Sequence, residues 1–214
     1  MTLSHNKGGM YLRARAIPTN PNTQYQQAVR SLVASLASRW ISILTETQRV
    51  GWQLYADNVP LLNPLGDPIN VSGLNMYTRG NVARVQAGGA IVDDAPNTFD
   101  LGEFTDPVIS VEASTDVASV AFTVGDAWVN EDLSCMIAFA SRPQNMSINY
   151  FKGPYRFMDT IVGNGTTPPT SPAAMDLPFP VADGQKVFFR VIVVRNDGRV
   201  SHSFRAVAWD TSPT

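Results

Sequence analysis

Residues able to ligate a metal or attack a carbonyl are few in this 214-residue chain, and they stand far apart. The two histidines are His5, near the N-terminus, and His202, between Ser201 and Ser203. On a strand, adjacent side chains point to opposite faces, so that Ser-His-Ser adjacency does not make a catalytic triad and His202 reads as a strand-surface residue. Cys135 sits inside an apolar run and reads as a small core residue rather than a nucleophile. Carboxylates cluster at Asp93-Asp94 and at Glu131-Asp132, with Asp126 close by. Hard cations such as Ca²⁺ take oxygen ligands of this kind. The regular Asp-x-Asp-x-Asp-Gly loop is missing, so these acids read as solvated turns. Phosphate-cradling glycine loops and the Gly-x-Ser-x-Gly elbow are also absent from the sequence. The expectation is a protein with no catalytic residues, no cofactor and no metal, and one that is not an enzyme.

The elements that position these residues change character near residue 90. Residues 1–90 carry eight basic against three acidic side chains, net +5, and residues 91–214 carry eight against fifteen, net −7, which together make the chain's −2. In the first half, Thr23 with Gln26 and Thr45 with Gln48 are capping boxes. Behind the first, Val29, Leu32, Val33, Leu36, Ala37, Trp40, Ile41 and Leu44 recur at helical spacing and predict a helix over 24–44. A second helix turns Trp52, Tyr55, Ala56 and Val59 inward and stops at Pro60. Ser72 caps a third, bearing Leu74, Tyr77, Val82 and Val85, which ends at Gly88-Gly89. Seven β-branched runs follow, at 107–113, 119–124, 133–141, 155–162, 173–179, 186–195 and 199–208, and predict a β-sandwich. Asn196-Asp197-Gly198 joins the last two as a hairpin turn. The strand around 187–195 is apolar on both faces, so it is either central or covered by a neighbouring subunit.

The expected organisation is an extended N-terminal arm over 1–22, a helical domain over 23–90, a linker over 91–104 and the sandwich over 105–214. The arm alternates, with Leu12, Ala14 and Ala16 on one face and Tyr11, Arg13 and Arg15 on the other. Seven arginines spread over the first half (Arg13, Arg15, Arg30, Arg39, Arg49, Arg79 and Arg84) read as solvated helix faces or as a surface for an acidic protein neighbour. No aromatic–basic interleaving supports nucleic-acid contact. In the second half, 145–154 reads as a loop that leaves Tyr150 and Phe151 partly exposed and open to contact, and the Pro-rich stretch 163–172 as another. Apolar content of 44 % and charge of 16 % belong to an ordered chain. One cysteine cannot form an internal disulfide. Apolar runs are too short for a membrane span, and the N-terminus lacks a secretory core, so folding in a cytosol is expected.

Gly8-Gly9-Met10-Tyr11-Leu12-Arg13-Ala14-Arg15, then Pro18-Thr19-Asn20-Pro21-Asn22-Thr23 and Gln27-Ala28-Val29-Arg30, form a recognisable unit with the Trp40, Trp52 and Tyr55 helices and Ser72-Gly73-Leu74. Over residues 8–85 the chain resembles uncharacterised tailed-bacteriophage virion structural proteins. The order of the later strands resembles a fibronectin type III or immunoglobulin-like domain, giving an α+β expectation of arm, three helices and sandwich. The resemblance implies a virion structural protein assembled in the host cytoplasm, as capsid decoration or cement or as a tail or head–tail component. Its partners would be copies of itself, making a homo-oligomer, and other virion proteins. Tyr11, Leu12, Arg13 and Arg15 would carry the arm's contact with a neighbour. The competing expectation is a module that binds a host glycan or receptor through Tyr150 and Phe151.

Overall fold

The computed structural model describes residues 2–6, 8–13, 22–63 and 65–210. Over the described residues 2–6 and 8–13 the N-terminus is not an extended arm. Strands β1 (Thr2–Asn6) and β2 (Gly9–Arg13) fold back on each other as an antiparallel hairpin. Gly9, the first residue of β2, has φ +109°, a conformation that a side chain would strain.

Three helices follow, and their starts are written in the sequence. Helix α1 (Gln24–Ser42) opens on the Thr23–Gln26 capping box, and α2 (Glu46–Asn58) on Thr45–Gln48. The Ser72 side chain accepts from Asn75 N at the start of α3 (Gly73–Gln86). Two short strands, β3 (Leu61–Leu62) and β4 (Pro68–Ile69), bridge α2 to α3. The helical core is Leu36, Leu44, Trp52, Tyr55, Ala56, Val59, Met76 and Tyr77. Trp52 meets Tyr55 and Tyr77 edge-on, at 6.0 and 5.6 Å, an arrangement favoured by the ring quadrupoles. Helix α1 departs from its expected face: Leu36, and Leu44 just past its end, are buried, whereas Val33 and Ile41 are exposed.

Residues 91–104, expected to be a linker, are strapped across these helices. Trp52 Nε1 donates to Asp93 O at 2.8 Å and Tyr55 OH to Asp100 O at 2.7 Å. Asn81, fully buried, closes a two-way bond with Val92, accepting its N–H at 2.7 Å and donating to its carbonyl at 3.0 Å. Leu101 is buried in the helical core.

The second half is a β-sandwich. One sheet has the order β10 (Ala173–Asp176), β6 (Val117–Ala121), β5 (Val108–Glu112). The other runs β12 (Phe204–Trp209), β11 (Gln185–Val194), β7 (Cys135–Ala140), β9 (Arg156–Val162), with short β8 (Gln144–Asn145) also on β11. All pairings are antiparallel. Val111, Ala118 and Val120 from the first sheet meet Met136, Ala138, Phe189, Val191 and Val193 from the second, so the core lies between them. The all-apolar strand is the central β11. Its outward residues Ile192 and Val194 are covered within the chain, by Ala83 of α3 with Cys135, Ile137 and Val200.

Candidate functional site

Two surfaces stand out once the cores are removed from consideration. The first is the N-terminal hairpin. Its register places Leu3 opposite Leu12 and His5 opposite Met10 on one face. Leu3, Met10 and Leu12 are 60, 70 and 62 % exposed, and Tyr11 on the other face is 41 % exposed. β1 and β2 pair with no third strand among the described residues. An isolated two-stranded hairpin is at best marginally stable in water, and this one leaves three large apolar side chains wet. The sequence-predicted contact residues Tyr11, Leu12 and Arg13 thus lie together on β2, while Arg15 falls outside the described residues.

The second surface is the outer face of the five-stranded sheet. Arg190 on β11 is in register with Arg205 on β12 and with Phe139 on β7, and Phe139 with Phe157 on β9. The Arg190 guanidinium lies 5.7 Å from the Phe139 ring centroid. Neither Arg190 nor Arg205 has a carboxylate partner among the described residues. Partial burial, then the facing Arg205, push the Arg190 guanidinium below its ordinary value.

Beside this pair, Phe151 stacks on Phe188 at 5.7 Å and meets Tyr155 edge-on at 5.2 Å. Tyr155 OH donates to Phe151 O at 3.2 Å, which fixes the loop onto the sheet. Tyr150, 68 % exposed, completes the rim of a hollow of about 220 Å³ lined by Asn149, Phe151, Tyr155, Phe188 and Arg205. On the other side of Arg190 a larger hollow of about 460 Å³ runs under α3, past Arg79 and His202. The loop pair Tyr150 and Phe151, singled out from sequence, is therefore divided. Tyr150 faces solvent, and Phe151 is half-buried as the wall that holds the loop.

The remaining chemistry-bearing residues serve the fold. Cys135 is buried on the sheet face beneath α3, and burial pushes its thiol up to about 11. His202 lies past the end of the hairpin turn, exposed, with its backbone N–H on Glu103 Oε1 at 3.2 Å. Asp126 accepts from Thr105, Glu131 holds Arg195 and Ser134, and Asp132 accepts from Gly165 N, so these acids face separate partners.

The arginines of the helical half were expected on solvated faces or on a surface for an acidic protein neighbour, and four of them are bonded within the chain. Arg39 pairs with Asp93 at 2.5 Å, and Arg49 bonds Glu46 and the carbonyls of Trp40 and Leu44. Arg79 donates to Val200 O and Ser201 O at 2.6 and 2.8 Å. Arg84 donates to Arg195 O and Ala90 O at 2.9 and 3.0 Å.

No family model matches the chain, and no curated protein matches it. Two solved structures do. An Fn3-like protein from Clostridium thermocellum is 16 % identical, with 52 % of this chain and 97 % of that one covered and a TM-score of 0.32. A family 76 glycoside hydrolase from a bovine Bacteroides thetaiotaomicron strain is also 16 % identical with a TM-score of 0.32, covering 49 % of this chain and 20 % of the hydrolase. The expectation that the chain is not an enzyme is withdrawn, because one of the two matches is itself an enzyme. That match spans a fifth of the hydrolase and assigns no activity to this chain.

Proposed function

We propose that the chain is a structural subunit of a tailed-bacteriophage virion, a capsid decoration or cement protein or a tail or head–tail component, that assembles through its N-terminal hairpin. The observation that carries this reading is the hairpin's uncovered face of Leu3, Met10 and Leu12. Its fit with the resemblance over residues 8–85 supports the virion setting. Burying each of those side chains against a neighbouring copy is worth about 1.5–3 kcal/mol, before the ordering of the interface is subtracted. Ion pairs from Arg13 and Arg15 would add about 0–1 kcal/mol each if exposed. Apolar burial therefore drives the contact, and repetition over many copies multiplies it. Exposed Val33 and Ile41 on α1 offer an apolar acceptor on the same chain type. The strand order β10-β6-β5 against β9-β7-β11-β12 supports the finer reading of the sandwich as fibronectin type III-like.

Light scattering and negative-stain microscopy of the full chain, beside a version lacking residues 1–22 and a Leu12→Asp variant, test this. Regular oligomers that both changes abolish are the expected result. Oligomers that persist without the hairpin, or a full chain that is monomeric at every concentration, would count against it. A second reading, a module that binds a host glycan or receptor, is favoured by one observation, the open aromatic hollow at Tyr150.

A further inference from the structure

We propose that the outer face of the five-stranded sheet binds an acidic saccharide, with its carboxylate on Arg190 and Arg205 and its ring in the hollow of Tyr150, Phe151 and Tyr155. This rests on the second reading above and names its ligand class.

The paired arginines are the starting point. Like charges directly opposite on adjacent strands destabilise a sheet, yet Arg190 and Arg205 occupy one register position. No acidic side chain among the described residues is ion-paired with either. The register that brings them together is itself built. Val194 faces Val200, whereas Arg190 faces Arg205, so the β12 side carries one residue more over the same span. A regular ladder from the turn would set Arg205 on the opposite face, toward the core. The irregular stretch 201–203 absorbs the extra residue. It is held by Ser201, whose N–H donates to Val193 O and whose Oγ accepts from Val193 N, both at 2.9 Å, and by Arg79 on the carbonyls of Val200 and Ser201.

Two arginines in register on one sheet face offer planar forks of donors that match a carboxylate better than a point charge does. The neighbouring hollow then selects what carries the carboxylate. At about 220 Å³ it is smaller than the roughly 300–1,000 Å³ of sites for drug-sized ligands, which suits a single ring. Its walls are aromatic, and its rim holds the Asn149 amide and the Tyr150 side chain, a mixture of apolar face and hydrogen-bonding edge that a pyranose matches. Tyr155 lies close enough to Arg190, Arg205 and Tyr150 to interact electrostatically with each. The 460 Å³ hollow beyond Arg190 leaves room for a second sugar unit.

Calorimetric titration of the full-length chain with trigalacturonate and with sialyllactose, beside methyl-esterified trigalacturonate, inorganic phosphate and a short polyglutamate, tests the proposal. Saturable binding of at least one acidic saccharide is expected, weakened about tenfold or more by Arg205→Gln and by Tyr150→Ala, since each removes one contact of the charge-assisted or aromatic kind. Both positions are exposed, so unchanged circular dichroism is expected from both variants. Neither acidic saccharide binding would overturn this inference, and failure of the methyl ester as well would remove saccharide recognition from this face. The methyl ester binding as tightly as the acid would overturn the acidic ligand alone and leave saccharide binding standing. Phosphate competing equally while Tyr150→Ala has no effect would reduce the face to a simple anion site. Polyglutamate binding more tightly than the saccharides would assign it to an acidic protein partner.

Discussion

Asp93 is the residue on which the helical unit closes. Its carboxylate takes Arg39 Nε and Nη2 at 2.7 and 2.5 Å and Tyr77 OH at 3.2 Å, while its carbonyl takes Trp52 Nε1. The hydrogen bonds from Arg39 hold the carboxyl below its ordinary value, against the opposing effect of burial. A carboxylate with a depressed folded pKa stabilises the fold above its unfolded pKa of about 3.9, and that contribution is lost as pH falls through the lower folded value. Asp93→Asn should therefore lower stability at pH 7 by about 1–2 kcal/mol, discounted for the partial exposure of the pair. In urea titrations the gap between wild type and variant should narrow below about pH 4; a gap independent of pH would refute the ionic role. Cys135 makes the complementary case. Burial raises its thiol to about 11, so at pH 8 the thiolate is scarce and sheltered. Folded protein should resist alkylation and react promptly in denaturant, and fast labelling of the native chain would show that α3 does not stay seated over β7.

Helix α3 is the element that joins the halves, and its seat on the hairpin turn is backbone against backbone. A Cβ at Gly80 would stand 2.3 Å from the Gly198 carbonyl oxygen, and Gly198 itself has φ +91°, with room for a Cβ limited by the Trp52 ring at 3.2 Å. Gly80→Ala should cost about 1–3 kcal/mol, as overpacking does, read as a lower urea midpoint, whereas alanine at exposed Gly125 would meet only the Thr123 methyl at 4.0 Å. The helix starts and the inward set Trp52, Tyr55, Ala56 and Val59 were legible, because caps and a buried stripe are local. The fate of Ile41 was not, since helical spacing reports that a stripe is apolar and says nothing of what covers it. Strand 199–208 was legible only in part, for β12 begins at Phe204. The missing ladder is the stretch whose carbonyls Arg79 occupies, a contact 121 residues away in sequence for Val200. For the same reason Arg205 could not be assigned to the outer face, since one extra residue in that stretch exchanges the two faces of the strand.

At the scale of the molecule, the opposite charges of the two halves are matched partly inside the chain. The acidic strap pairs Asp93 with Arg39 across the halves, whereas Asp100 pairs with Arg199 inside the second half, so one charge of each sign is taken from the imbalance available for head-to-tail packing between copies. The same contacts argue that the halves unfold together. Separating them would expose Ile137, Ile192, Val194 and Val200, strip Arg79 and Arg84 of their carbonyls, and open the strap. Buried donors and acceptors left without partners cost about 1–3 kcal/mol each, on top of the apolar surface exposed. Tryptophan reports on both sides, with Trp52 in the helical core and Trp128 in the sandwich core, and each is buried. Replacing one at a time by phenylalanine should give fluorescence transitions that coincide with each other and with far-ultraviolet dichroism, the signature of one cooperative unit. Transitions at separate urea concentrations would mean that the sandwich stands alone, and a fragment of residues 105–210 would then be soluble and folded. The apolar patch on its β7–β11 face predicts instead that this fragment aggregates.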